Sequence, residues 1–226
     1  MMSPATIVIE AVNKGINLIA ICDHNSSENS GAVIEASKGK KVTVLPGIEV
    51  TSKEEVHICA LFNYIDDALE MQTLIYDNLE GENDDTAFGM QVVMDAEGCG
   101  LNLNHRLLIG ATNLSVEKIV DAIHSLNGLA IAAHIDREGF GMIGQLGFIP
   151  PELGLDALEI SPNMKIEEAR LRFSEYQKYP FLCSSDAHYP DDIGRGATSL
   201  LLEKASFKEL RMALRCEGDR RISYGG

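Results

Sequence analysis

Histidine and acidic residues recur along this sequence where apolar segments end. Imidazole and carboxylate groups without thiolates suit Zn²⁺, Mn²⁺ or Fe²⁺ better than Ca²⁺. Metal ions held close together can clamp phosphoryl oxygens and lower the pKa of a bound water. The pattern therefore predicts a shared site that could hold neighbouring metal ions. The residues concerned are Asp23, His24, Glu49, His57, His134, Asp186 and His188.

Each of these residues also has a simpler interpretation when it is taken alone. A single histidine at a strand end is more often a hydrogen-bonded structural residue. Asp23 and His24 could cap the helix that follows them, and Asp186 could cap a loop. Repetition of the pattern at successive strand ends favours a shared site instead. His105 and His124 fall outside the pattern, and we interpret them as surface or core residues.

The elements that must position the site alternate between strand and helix. Apolar or alternating runs predict strands at 17–22, 42–45, 55–62, 129–133, 156–160, 181–184, 198–202 and 222–224. Helical patterns separate most of these runs, which implies parallel strands covered by helices. The carboxyl ends of such strands are where ligands and catalytic groups collect. We predict one α/β domain over residues 1–226, with an inserted, hairpin-containing segment at about 81–113.

Charge and composition restrict the possible partners. The net charge of −15 repels polyanions, and the sequence has no Lys/Arg cluster of the kind that a long nucleic-acid groove requires. Bound metal ions would reverse the sign locally, which leaves a small phosphorylated substrate or a short oligonucleotide open. The five cysteines form no Cys-x-x-Cys pair, which favours reduced thiols. With no signal sequence and no apolar run of membrane-spanning length, we expect a cytoplasmic protein without a membrane partner.

Five short segments, in this order, resemble the polymerase and histidinol phosphatase (PHP) family. They are Ala20-Ile21-Cys22-Asp23-His24-Asn25-Ser26, Gly47-Ile48-Glu49-Val50, Glu55-Val56-His57, Ala132-Ala133-His134 and Ser185-Asp186-Ala187-His188. Residues 107–115 and 133–137 are similar to a bacterial branch of metal-dependent phosphoesterases. The resemblance implies a distorted seven-stranded β/α barrel of the TIM type. It also implies up to three metal ions and phosphoester hydrolysis by metal-activated water.

The resemblance also implies a role for each residue. Glu49 would bridge the first two metals, and His57 and His134 would complete the second. Asp186 would bind the first metal, while His24 and His188 would bind the third. The residues expected to act in catalysis are Asp23, His24, Glu49 and His188. Because Asp23, Glu49 and Asp186 are expected to lie close together, mutual repulsion should raise their pKa values.

Three further residues are candidates for contact with substrate. Arg137 and Arg195 could each hold a phosphate through two hydrogen bonds, and an ordinary surface arginine is the alternative. Asn25 could donate a hydrogen bond to substrate, or it could cap the next helix.

One part of the family pattern is not found in the sequence. The family begins with a strand that carries His-x-His, whereas no histidine precedes His24. A start assigned downstream of the true one is the interpretation we favour, and loss of the motif is the alternative. We therefore expect a barrel without its first strand, fewer than three metals, and an exposed apolar edge that a homodimer could cover. A 5′–3′ exonuclease on short oligonucleotides and a degenerate, non-catalytic metal-binding domain are the alternative functions.

Overall fold

The computed structural model describes residues 2–224, in which helices and strands alternate over most of the chain. The helices are α1 (Pro4–Asn13), α2 (Ser30–Ala36), α3 (Ile65–Tyr76), α4 (Val116–Ser125), α5 (Met142–Leu146), α6 (Ile166–Arg172) and α7 (Phe207–Leu214). The strands are β1 (Leu18–Ile21), β2 (Thr43–Thr51), β3 (His57–Leu61), β4 (Val92–Met94), β5 (Gly100–Leu103), β6 (Leu129–Ala132), β7 (Ala157–Ile160), β8 (Phe181–Cys183), β9 (Ser199–Leu201) and β10 (Arg221–Ser223). Within residues 2–224, every helix is too short or too polar to cross a bilayer.

Six strands form one curved sheet in the order β1-β2-β3-β6-β7-β8. The described residues therefore give an α/β half-barrel with β1 and β8 at its edges, and the expected count of seven strands is not confirmed. The strands β4 and β5 form a separate antiparallel pair, as do β9 and β10. Dimerisation at the sheet edge and the status of residues 81–113 as an insertion stay predictions.

The expectation that neighbouring strands run parallel is wrong for β3, which is antiparallel to both β2 and β6. A short turn joins β2 to β3, closed by a hydrogen bond from the Ser52 amide to the Val56 carbonyl (2.9 Å). A parallel return would have required a long crossover, usually a helix. As a result the first residue of β3, His57, lies beside Thr51 at the carboxyl end of β2.

The two faces of the sheet bury different sets of side chains. The outer face packs against α3, α4 and α6 through residues such as Ile48, Ile58 and Leu158. The inner face packs against α7 and β10 through Leu45, Cys59, Leu61, Ile131 and Ala157. Successive side chains of a strand point to opposite faces. A residue that is separated from an inner-facing one by an even number of positions therefore also points into the barrel interior. Glu49, His57 and Glu159 occupy those positions.

Local signals in the sequence fix several helix ends. The Ser3 hydroxyl accepts a hydrogen bond from the Thr6 amide (3.3 Å) and so caps α1, which has Pro4 at its first position. Ser115 caps α4 in the same way, through the Lys118 amide (3.4 Å). Both caps confirm the sequence predictions.

The β4-β5 hairpin lies against the start of α2. Asn29 holds it there, because its side chain donates to the Val92 carbonyl (3.2 Å) and accepts from the Met94 amide (2.9 Å). The hairpin turn is closed by a hydrogen bond from the Gly98 amide to the Asp95 carbonyl (3.0 Å). Strand β4 of the hairpin thereby lines the same cavity as His24 and His188, which are described below.

Candidate metal centre

Three imidazole rings surround the carboxylate of Glu49, which is only 5% exposed. One oxygen of this carboxylate lies 3.1 Å from Nδ1 of His24. The other lies 3.2 Å from Nδ1 of His57 and 3.5 Å from Nε2 of His134. His24, Glu49 and His57 each offer one ligand atom within 4.8 Å of the others. We call Glu49 and the rings of His24, His57 and His134 the histidine cluster.

Backbone contacts between neighbouring strands bring the histidine cluster together. The Glu49 amide donates to the Asp23 carbonyl (3.1 Å), which places His24 next to Glu49 as β1 ends. Two residues earlier, a Cβ on Gly47 would lie 2.8 Å from both the Ala60 oxygen and the Cys22 sulfur. Glycine at position 47 therefore allows β1, β2 and β3 to approach closely beneath the cluster.

The chain turns sharply at His134 as it leaves β6. Its φ of 31° lies in the left-handed region, which residues other than glycine adopt rarely. The next turn is fixed by Asp136, whose carboxylate accepts hydrogen bonds from the Ser161 amide (2.8 Å) and hydroxyl (2.6 Å). The Ile135 amide also donates to the Glu159 carbonyl (2.9 Å), so β7 supports the loop that carries His134.

Asp186 and His188 lie at the rim of the site. Asp186 has a φ of 45°, and its carboxylate lies 2.6 Å from the Arg137 guanidinium. Nδ1 of His188 lies 3.0 Å from the Asp186 carbonyl oxygen, which accepts from it when that nitrogen is protonated. The His188 ring is more than half exposed, and its centre is 5.9 Å from that of His24. These two residues therefore border the histidine cluster without contacting Glu49 among the described contacts.

The electrostatics of the cluster differ from the sequence expectation. Burial alone would raise the pKa of Glu49, but close polar contacts from His134 and His57 hold it well below its usual range. Burial alone would lower the pKa of His134, and its contact with Glu49 raises it overall. Burial lowers the pKa of His24 despite the nearby carboxylate. The predicted repulsion among acids is thus wrong for Glu49, because histidines and not acids surround it.

Three ring nitrogens of the cluster are buried without a hydrogen-bond partner among residues 2–224. They are Nδ1 of His24, Nδ1 of His57 and Nδ1 of His134. The first two nitrogens approach Glu49 without hydrogen-bond alignment. Buried polar atoms in native proteins are nearly always satisfied, so unpaired imidazole nitrogens beside an ionised carboxylate fit the donor set of a divalent metal ion.

The structure places Asp23, Arg195 and Asn25 in roles or surroundings that differ from the sequence predictions. Asp23 lines the same cavity as His24, and its side chain is exposed there. The surrounding protein atoms nevertheless raise the pKa of Asp23 to about 6, and the nearby Asn29 side chain partly offsets this rise. Arg195 is exposed and pairs with Asp192 three residues earlier (2.8 Å), not with the cluster.

The side chain of Asn25 links separate segments of the fold, and both of its amide hydrogens are used in these contacts. Its side-chain nitrogen donates to the carbonyls of Leu108 and Gly110, each at 2.8 Å. Its side-chain oxygen accepts from the Thr51 amide (3.0 Å). The proposed contact with substrate is therefore corrected to a link between β2 and residues 107–110.

Two residues near the cluster, Glu159 and Phe140, were not identified as site residues from the sequence. Glu159 is 9% exposed on the inner face of β7, where burial raises its pKa to about 7. An acid within the apolar run 156–160 was the signal that could have revealed it. Phe140 stacks on His57 with ring centres 4.5 Å apart and an angle of 21° between the planes. An aromatic residue flanked by Gly139 and Gly141 gave only a weak signal.

A cavity of about 1550 Å³ opens beside the histidine cluster. Its walls come from β1, the end of β8 and the β4-β5 hairpin. His24, Glu49, Asp186 and His188 line it. The candidate metal centre is therefore accessible to a ligand much larger than a phosphate ion.

Comparisons with known proteins agree with this fold. The sequence model of the PHP-associated family matches residues 168–217. The uncharacterized protein YqxK of Bacillus subtilis (strain 168) is 26% identical over 245 residues, covering 97% of this chain and 57% of YqxK. This chain therefore spans little more than half the length of that relative.

Solved structures with the same fold include hydrolases. The lesion-specific endonuclease PfuEndoQ of Pyrococcus furiosus has a TM-score of 0.73 at 20% identity, over 98% of this chain and 53% of PfuEndoQ. A presumed metal-dependent phosphoesterase of Bifidobacterium adolescentis has a TM-score of 0.59 at 17% identity, over 96% of this chain and 92% of that protein. With the PHP-associated match, these likenesses confirm the resemblance of this chain to the PHP family.

Proposed function

We propose that this chain is a metal-dependent phosphoester hydrolase that acts on a nucleotide or another small phosphorylated substrate. The observation that carries the proposal is the buried carboxylate of Glu49 surrounded by three imidazoles with unpaired nitrogens. Within the part of the chain that the structure describes, this group opens onto a cavity large enough for a nucleotide. The proposed site is multinuclear, with its outer part formed by Asp186 and His188.

The residues of the cluster are suited to hold a divalent ion at neutral pH. Glu49 keeps its negative charge there because its pKa is held far below neutrality. His24, whose pKa is lowered, offers a neutral imidazole, which is the form that binds metal. When bound, the ion would polarise the phosphoryl group and lower the pKa of a water molecule.

Arg137 is the protein group best placed to hold the phosphate. Its guanidinium is 39% exposed and contacts Asp186, so it lies between the rim of the site and solvent. Guanidinium groups bind phosphate oxygens through paired hydrogen bonds, and exchange of Asp186 for phosphate would free that carboxylate to bind a second ion. Because the chain has a net charge of −15, attraction for an anion must come from such local positive groups.

An exonuclease acting on short oligonucleotides is the second candidate. The observation that favours it is the likeness to Endonuclease Q in complex with a 27-mer duplex that carries an abasic lesion, with a TM-score of 0.76 at 20% identity. The acidic composition argues against a long duplex on this chain alone, but a short end could enter the cavity. The third candidate is a metal-binding domain without catalysis.

The test combines metal analysis with hydrolysis on the same preparations. The purified chain is loaded with Mn²⁺, Zn²⁺ or Fe²⁺, analysed for bound metal, and assayed for phosphate release from nucleotides, ribose 5-phosphate and short 5′-phosphorylated DNA. His57→Asn should lower metal affinity by roughly 100-fold or more, since it removes a first ligand and not merely a supporting residue. His124→Asn is the matched control, because His124 pairs with Asp156 (3.0 Å) outside the cluster.

The outcomes separate the three candidates. Metal-dependent phosphate release that is lost in His57→Asn and kept in His124→Asn supports the hydrolase. Release of nucleotides from short DNA without action on free nucleotides identifies the exonuclease instead. A folded, metal-loaded chain that hydrolyses none of these substrates would identify the non-catalytic domain and overturn the proposal.

A further inference from the structure

One face of the Phe140 ring covers a residue of the histidine cluster, and the side chain is partly open to solvent. The ring is stacked on His57, with centres 4.5 Å apart. The side chain is nevertheless 41% exposed, and Phe140 is not a member of the buried clusters on either side of the sheet. A hydrogen bond from the His57 amide to the Phe140 carbonyl (2.9 Å) ties the backbones of the two residues together.

The loop around Phe140 is built to hold the ring in this place. Phe140 has a φ of 60°, a left-handed conformation that bulky residues avoid unless the surroundings impose it. A Cβ on Gly141 would lie 2.4 Å from the Arg137 carbonyl oxygen, so the loop closes only with glycine there. Strained residues of this kind cluster at ligand-binding sites, and Phe140 lies directly beside the candidate metal centre.

We propose that Phe140 is a substrate-positioning residue that stacks on the nucleobase of a nucleotide whose phosphate lies at the histidine cluster. This inference rests on the proposed function and narrows its substrate class to compounds with a flat aromatic ring about one sugar away from the phosphate. The His57 ring lies between Phe140 and the rest of the histidine cluster, with its centre 5.3 Å from those of both His24 and His134.

Stacking would also let this acidic chain attract its substrate without a basic surface. A nucleobase is uncharged, so its attraction to an aromatic face does not depend on the basic groove that the sequence lacks. Stacking of one base on an aromatic side chain changes affinity by roughly 5-fold to 150-fold. Because Gly139 and Gly141 flank the ring and have no side chains to read base edges, we expect similar affinity for all common bases.

The first experiment uses tryptophan fluorescence. The natural chain contains no tryptophan, so Phe140→Trp places a single fluorophore beside His57. Nucleoside 5′-monophosphates should quench its emission, whereas ribose 5-phosphate, which lacks the base, should not. Tyr64→Trp is the control, because Tyr64 is 67% exposed and follows the end of β3 opposite to His57. Equal quenching of both variants, or none in Phe140→Trp at saturating nucleotide, would overturn the proposal.

The second experiment separates positioning from support of the metal ligand. In Phe140→Leu the ratio of kcat/KM for a nucleoside monophosphate to that for ribose 5-phosphate should fall about tenfold, mostly through KM. Phe140→Tyr, which keeps the ring, should restore the ratio. An unchanged ratio with lower metal content would show that the ring only supports His57. If the natural chain releases no phosphate from any substrate, the proposed function fails, and the fluorescence experiment still decides whether Phe140 stacks on bases.

Discussion

Replacing Glu159 by glutamine tests whether a buried carboxyl group beneath the candidate metal centre opposes folding at neutral pH. Glu159 lies on the inner face of β7, where burial raises its pKa from 4.5 to about 7. The nearby polar side chain of Ser184 acts in the opposite direction and does not cancel the effect of burial. Glutamine has nearly the same shape and does not ionise, so Glu159→Gln removes the titration with little change in packing.

The sign and size of the effect follow from linkage. Between the two pKa values the folded state binds more protons than the unfolded state, so stability falls as pH rises. A rise in pKa from 4.5 to about 7 corresponds to about 3 kcal/mol at pH values well above 7. Most of this loss, roughly 2–3 kcal/mol, falls between pH 5 and pH 8. Relative to the natural chain, Glu159→Gln should therefore gain roughly 2–3 kcal/mol of unfolding free energy over this interval.

Urea unfolding at pH 5, 6, 7 and 8 with a chelator present measures this difference. The chelator keeps bound metal from adding positive charge near the carboxyl group. Glu152→Gln serves as the control, because Glu152 is exposed in the loop after α5 and the same change of side chain is made there at the surface. If the stability curves of Glu159→Gln and the natural chain stay parallel from pH 5 to pH 8, Glu159 is not a buried group of raised pKa, and the reasoning is refuted.

Two further substitutions test how neighbouring segments support the cluster. Gly47→Ala would put a Cβ 2.8 Å from the Ala60 oxygen and should cost roughly 1–3 kcal/mol in urea unfolding. Gly31→Ala, whose Cβ would meet no atom within 4 Å, should be neutral or slightly stabilising, and equal effects of the two would contradict the close approach at Gly47. Asp136→Ala removes both hydrogen bonds to Ser161 and should cost roughly 2 kcal/mol, with weaker metal binding through His134. Unchanged stability and metal titration would show that the loop holds His134 without Asp136.

The elements and the convergence of histidines could be predicted because their signals are local. Ser3 and Ser115 stand directly before apolar helical patterns, and each caps its helix. The alternation along 55–62 also placed His57 on the same face as Cys59, which the inner packing of β3 confirms. Glu49 lies in β2, His57 begins β3 and His134 follows β6, and these three strands are neighbours in the sheet. Their order therefore brings the three residues together.

The misjudged features depend on contacts between distant segments. The antiparallel course of β3 follows from the short turn at 52–56. The repeated alternation of strands and helices elsewhere in the sequence indicated parallel strands, and this turn was too short a signal to correct that prediction. Asn25 meets its partners Leu108 and Gly110 more than 80 residues along the chain, so no local pattern could show that its amide group is fully used. Likewise Phe140 acquires its place only because β3 passes beneath its loop.

The left-handed residues of the site have a consequence for how the protein would change under selection. Among residues 2–224, seven residues other than glycine have positive φ, and four of them are Asn25, His134, Phe140 and Asp186. Each such conformation costs roughly 1–3 kcal/mol, and glycine would remove most of that cost. A library screened for heat resistance alone should therefore accumulate glycine at Phe140, whose side chain is 41% exposed and lies outside the buried clusters on either side of the sheet. Such clones would be more stable proteins without the aromatic ring beside the site, so a useful screen must demand substrate binding in the same round as thermal survival.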